Sequence, residues 1–199
     1  MAGEVEPRAL RALDALTPVL GELGIEYALG GSMASGHFGE PRSTADADLF
    51  VELSASKLDR LLQALKGAFY VPEQPARDAV QSRGMFNIVH LATMHKIDLH
   101  VSGGSPLDRD ELARRQLVSL TQDGEHMVFI ASAEVIVLRK LDRYRRGNCV
   151  SDQQWRDILG VLKGQAGRLD LDYLRSMAGR LRVDDLLDRA LEQTGTKAT

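Results

Sequence analysis

Leu29-Gly30-Gly31-Ser32, followed fourteen residues past the serine by Asp46-Ala47-Asp48-Leu49, constrains this chain more than any other feature. Residues 25–29 alternate as a strand does, and residues 32–38 read as a short helix. A strand that turns into a helix through two glycines brings backbone N–H groups close to an anion. Ser32 at the helix start adds a hydroxyl and the positive end of the helix dipole. Gly30, Gly31 and Ser32 are therefore candidate phosphate ligands, and such a cradle suits a triphosphate. Asp46 and Asp48 stand two apart on the next predicted strand, so both carboxylates turn to one side while Ala47 and Leu49 turn to the other. Paired oxygen ligands of this kind suit Mg2+, which takes one or two carboxylates and fills its octahedron with water and substrate phosphate.

A third acid belongs on a neighbouring strand. Residues 85–91 and 95–101 read as two strands joined by a tight turn, and in the second Ile97, Leu99 and Val101 alternate with Lys96, Asp98 and His100. Asp98 thus lies on a polar face able to meet the pair. Two metal ions about 3.5 to 4 Å apart stabilise both oxygens of an in-line displacement, which accounts for a triad of acids in place of one.

These residues resemble the nucleotidyltransferase superfamily that shares its catalytic core with DNA polymerase beta. The pattern is a hydrophobic residue and Gly-Gly or Gly-Ser, then Asp-hydrophobic-Asp-hydrophobic, with an acid on a later strand. It corresponds here to Leu29-Gly30-Gly31-Ser32, Asp46-Ala47-Asp48-Leu49 and Ile97-Asp98-Leu99. The run Arg42-Ser43-Thr44-Ala45-Asp46 is similar to the approach in bacterial members, including minimal, toxin–antitoxin and some antibiotic nucleotidyltransferases. The core resemblance covers residues 20–131. A weaker one, on Glu134, Lys140 and Arg156-Asp157, extends over 132–164 toward nucleotidyltransferase-like toxins of abortive-infection systems.

The resemblance implies an α+β nucleotidyltransferase fold: a mixed twisted sheet with flanking helices over 1–131, followed by a C-terminal helical bundle over 132–199. It implies transfer of a nucleoside monophosphate from an NTP to a hydroxyl of a protein, a tRNA end or a small molecule, with Mg2+ or Mn2+, two ions, as cofactor. Asp46, Asp48 and Asp98 would be the metal-binding and catalytic acids, Asp98 either ligating the second ion or accepting the acceptor's proton. Gly30, Gly31, Ser32, Arg42 and Lys140 would hold phosphates, with Thr44 and Asp157 in support. An antitoxin-like protein is the partner this reading suggests. The alternative is a non-catalytic nucleotide-binding or interaction protein that keeps the fold, although a degenerate copy is expected to lose an acid and none is missing.

Several side chains have plainer readings. Arg42 either clamps triphosphate oxygens or pairs with Glu40, and Thr44 either bonds a phosphate or starts the strand. His100 either orients Asp98 or the acceptor, or is a partly exposed strand residue. Lys140 either neutralises phosphate or belongs to a solvated basic helix end, and Asp157 either positions Lys140 or pairs with Arg156. His90, His95 and His100 lack the spacing of zinc sites.

A net charge of -3 argues against an extended nucleic-acid footprint, while 44% hydrophobic and 27% charged residues fit a soluble globule. Cys149 is the single cysteine, so no intrachain disulfide forms. With no leader-like or membrane-length apolar run, a cytoplasmic protein that does not engage membranes is expected. Leu10, Leu13, Leu16, Leu20 and Leu23 predict a helix that Thr17-Pro18 restarts or kinks. Leu58, Leu61, Leu62 and Leu65 predict another, residues 69–71 a strand, and 72–84 a loop or short helix. Asp123-Gly124 predicts a hairpin turn, and helices follow from Ser132, from Ser151, and across 171–181 and 186–191.

Overall fold

The computed structural model describes residues 6–40 and 46–196, which fall into two compact units. One contains 6–33 and 46–131; the other contains 34–40 together with 132–196. The segment 34–40, expected within the core, thus groups with the C-terminal helices.

The first unit is built on seven strands: β1 (Tyr27–Leu29), β2 (Ala47–Val51), β3 (Phe69–Tyr70), β4 (Met85–His90), β5 (His95–Val101), β6 (Gln116–Ser119) and β7 (Met127–Ile130). They form one sheet in the order β3-β4-β5-β2-β1-β7-β6. The pairs β2–β5 and β1–β7 are parallel and the other four antiparallel, so the sheet is mixed, as the α+β expectation requires. Strict alternation explains the central ladder. Ala47, Leu49, Ile97 and Leu99 are each 0% exposed, which commits one face of β2 and β5 to the core and turns the residues between them the other way.

Helix α1 (Pro7–Glu22) runs unbroken through Pro18. Leu16 and Leu20, on either side of that proline, are both fully buried, and their packing outweighs the missing N–H. Helix α2 (Gly31–Phe38) follows β1 directly, and α3 (Ala55–Ala64) is capped by Ser54, which accepts the Lys57 N–H. Residues 73–82 form α4 (Glu73–Ser82), ended by Arg83 in the left-handed region at φ 55°. One element went unread in the sequence: α5 (Pro106–Ala113), started by a reciprocal capping box between Ser105 and Asp108.

The second unit packs the rear of α2 with α6 (Ala133–Arg146), α7 (Asp152–Gly164), α8 (Leu171–Leu181) and α9 (Asp184–Thr194). Ser132, Ser151 and Asp170 each cap a helix through a side-chain oxygen. Glycine lets backbone meet backbone here. A Cβ on Gly39 would lie 2.6 Å from the Gly160 carbonyl carbon, and one on Gly164 would lie 2.2 Å from the Phe38 carbonyl oxygen. Gly164, which reads as punctuation in the sequence, is therefore a packing residue. No helix among the described residues is long and apolar enough to cross a membrane.

Two predictions follow from packing and burial. Gly164→Ala overpacks a backbone contact and should lower Tm by roughly 5 to 10 °C. Gly179→Ala, in α8 with nothing within 4 Å of the added carbon, should instead stabilise by about 1 kcal/mol; calorimetry on both variants checks the contrast. His95 is buried on the core face of β5, and burial pushes it below its ordinary value of 6.5. The unfolded chain then binds the proton first as pH falls. The stability His95 contributes is whole above pH 6.5 and is lost progressively below it, toward the lowered folded value. His95→Gln should therefore lose less stability than the parent between pH 7.5 and pH 5.5, roughly one unit either side of that value, in urea titrations.

Candidate active site

The parallel pairing of β2 with β5 aligns Asp48 with Asp98, and the antiparallel β4 brings Asn87 opposite Asp98. Equal register on adjacent strands puts these side chains on one face. Asp46 lies just ahead of β2 and is exposed, Asp48 is half-buried, and Asp98 is buried. Two basic groups stand among them. The Lys96 ammonium lies 3.0 Å from Asp98 Oδ2 and 3.5 Å from Asp46 Oδ1, bridging the two acids. His100 Nε2 lies 3.3 Å from Asp48 Oδ1. The hydrogen bond to Asp98, ahead of the charges of Asp98 and Asp46, pushes the Lys96 ammonium above its usual value. His100 was considered as an orienter of Asp98; it contacts Asp48.

Asp98 Oδ1 is buried with no hydrogen-bond partner among the described residues. A buried carboxylate oxygen without a donor is costly, and a cation is one group that offsets that cost. Yet no three His, Cys, Asp or Glu side chains among the described residues come together closely enough to hold a metal ion. The acids share a face with an ammonium between two of them.

Gly31 sits directly over Asp48. Its φ is +60°, and a Cβ there would lie 1.9 Å from Asp48 Oδ2. Only glycine fits both the conformation and the space. Gly30 serves the sheet: its N–H donates to the Asp48 carbonyl at 2.8 Å. The expectation that both glycines offer N–H groups to phosphate is thus corrected for Gly30, because that donor extends the β1–β2 ladder. Ser32 follows in the first turn of α2. Glu111 of α5, 3% exposed, brings Oε1 to 3.7 Å from the position a Gly30 Cβ would take.

Arg42 and Thr44 lie outside the described residues. Lys140 and Asp157, in the helical unit, form an ion pair at 2.7 Å between α6 and α7, with side chains only 7% and 9% exposed. The solvated-helix-end reading of Lys140 is therefore wrong. Asp157, read in the sequence as a residue that positions Lys140 or pairs with Arg156, meets Lys140 across the helix pair. Sequence reasoning passed over Lys96 and Glu111. Lys96 was visible in principle, two residues from Asp98 on the same strand face; Glu111 required the unread α5.

A mixed sheet with one acid on a strand and another just ahead of it, a third acid on its parallel neighbour and a glycine turn into a helix is the nucleotidyltransferase fold, and solved structures share it. The antibiotic-resistance factor ANT(2'')-Ia, in its solution structure, matches with a TM-score of 0.59 at 13% identity, over 91% of this chain and 96% of its own. The same protein in complex with adenylyl-2''-tobramycin gives 0.54 at 9% identity, over 87% and 97%. An antigenic nucleotidyltransferase-like protein from Paracoccidioides brasiliensis gives 0.54 at 20% identity, over 96% and 95%. No family model matches the chain, and no curated protein matches it by sequence.

The contact between Gly31 and Asp48 yields a double-mutant test. Gly31→Ala should destabilise the parent by roughly 3 kcal/mol, but an Asp48→Ala variant by only about 1 to 2 kcal/mol, the cost of the left-handed backbone alone. Urea unfolding of the four proteins measures the difference; equal costs in the two backgrounds would show that the two residues do not meet.

Proposed function

We propose that the chain is a nucleotidyltransferase that moves a nucleoside monophosphate from an NTP to a hydroxyl acceptor. The observation that carries this reading is the in-register pair Asp48 and Asp98, with Asp48 lying against Gly31 at the start of α2. The resemblance of the three acid and glycine segments to nucleotidyltransferases supports it, as does the shared fold.

Mg2+ or Mn2+ fits the residues present in donor chemistry, although the three acids are not gathered around one point. The donors are carboxylate oxygens, which hard cations prefer, and Asp98 offers a buried oxygen with no partner. Asp46, Asp48 and Asp98 would hold the ions, which when bound supply charge neutralisation on the triphosphate. The chain's own residues do the rest. The Gly31 backbone and Ser32, at the positive end of α2, hold the phosphates that leave. Asp98 either ligates the second ion or takes the acceptor's hydroxyl proton as the acceptor oxygen bonds the α-phosphorus and the bond to pyrophosphate breaks. His100 keeps the Asp48 carboxylate turned toward Gly31. Arg42 and Thr44 are assigned to the phosphates on the resemblance alone.

ANT(2'')-Ia in complex with adenylyl-2''-tobramycin supports a small molecule as the first acceptor to try, beside a tRNA end and a protein. One observation favours the second reading, a nucleotide-binding or interaction protein: the Lys96 ammonium stands between Asp46 and Asp98, where a catalyst would hold a metal. Incubation with each α-phosphate-labelled NTP, Mg2+ or Mn2+, and the three acceptor classes separates the two. Labelled product is expected, and Asp48→Asn should reduce it roughly 1,000-fold, the effect of losing several kcal/mol of charge stabilisation. Its Tm should stay within a few degrees of the parent's. Nucleotide binding without product under every condition would establish the second reading.

A further inference from the structure

Lys96 is a basic group within this acid cluster that the proposed chemistry does not use. Its ammonium bridges Asp98 at 3.0 Å and Asp46 at 3.5 Å, on a stem 40% exposed and therefore free to swing away, whereas the Asp98 side chain is 12% exposed and fixed in the sheet. Divalent cations and ammonium groups seek the same oxygens. A lysine is a compact point charge on a flexible four-carbon stem, so it can occupy a carboxylate pair without the rigid fork of an arginine and leave it at low cost.

We propose that Lys96 is a tethered counter-ion that competes with divalent metal for Asp46 and Asp98, so that the free ion is held weakly and metal enters as its nucleotide complex. The proposal rests on the nucleotidyltransferase reading. With Lys96 in place the carboxylates present one negative charge fewer to an incoming cation. A metal already bound to a triphosphate needs fewer protein oxygens, and the phosphates it carries give the displaced ammonium a new anion to contact. Lys96 thereby couples metal entry to nucleotide entry, and the acids do not trap free ions between turnovers. Asp98 Oδ1, buried and without a hydrogen-bond partner among the described residues, is a second oxygen of the same carboxylate that Lys96 leaves uncontacted.

The experiment is titration of the full chain with MnCl2, by calorimetry and by electron paramagnetic resonance of the free ion, with and without the non-hydrolysable α,β-methylene analogue of ATP. The parent, Lys96→Met, Lys96→Arg and Asp48→Asn are compared. Removing one positive charge about 6 Å from a divalent ion in a water-like dielectric should tighten free Mn2+ binding about tenfold in Lys96→Met. Lys96→Arg, which keeps the charge, should stay within about threefold of the parent. With the analogue present the advantage of Lys96→Met should shrink or reverse, because the phosphates lose a cation. A second readout is thermal: Mn2+ should raise the Tm of Lys96→Met more than that of the parent.

If Lys96→Met binds free Mn2+ no more tightly than the parent while Asp48→Asn abolishes binding, this proposal fails and the metal assignment stands. If no protein binds Mn2+ with or without the analogue, both fail. An equal thermal shift in parent and Lys96→Met likewise overturns the competition.

Discussion

The parallel pairing of β2 with β5 is the constraint on which the rest of the sheet unit depends. Each strand offers the core a small or aliphatic residue at every second position, and the tight burial of Ala47, Leu49, Ile97 and Leu99 excludes any pairing that is one residue out of phase. The polar residues between them are thereby gathered on the opposite face at strand spacing. No special device assembles the acids; they are placed by hydrophobic burial on the reverse of the same two strands. Gly31 completes the arrangement, because any side chain there would occupy the volume of the Asp48 carboxylate.

Gathering acids on one face raises an electrostatic problem that the strands also solve. Asp98 is buried, with the carboxylates of Asp46 and Asp48 on the same face. Lys96 and His100 flank it on the same strand at the same period and meet Asp46, Asp98 and Asp48. The sequence Lys96-Ile97-Asp98-Leu99-His100 therefore carries an acid and two basic side chains on one side and core on the other. The helical unit answers the same difficulty differently, with Lys140 and Asp157 paired inside the bundle, where each would be unfavourable alone.

Much of this was legible in the chain because the informative signals are local. The two-residue period of Asp46 and Asp48, the alternation through Asp98 and the glycine turn each fit within a few residues, and the mixed sheet follows from placing such segments next to one another. What stayed hidden depends on partners far apart. Gly39, Gly160 and Gly164 give no sign of a contact until a distant backbone is laid against them. Lys140 looks like part of a basic helix end, yet the buried surface of α6 is wide enough to enclose it. Helix α5 has little helical periodicity, and its start is written in Ser105-Pro106-Leu107-Asp108, a capping signal that hydrophobic spacing alone does not detect. The role of Lys96 needed the register of two strands before its reach to Asp46 could be seen.

The ladder between β2 and β5 has a consequence for how the chain finds its native state. If β5 paired with β2 one step out of phase, its leucine and isoleucine side chains would be pushed into water while a lysine, an aspartate and a histidine entered the oily interior. The penalty would fall on several residues at once, so a misaligned strand would be rejected before the sheet could close around it. The polar side chains of this surface thus also proofread the assembly of the scaffold that carries them.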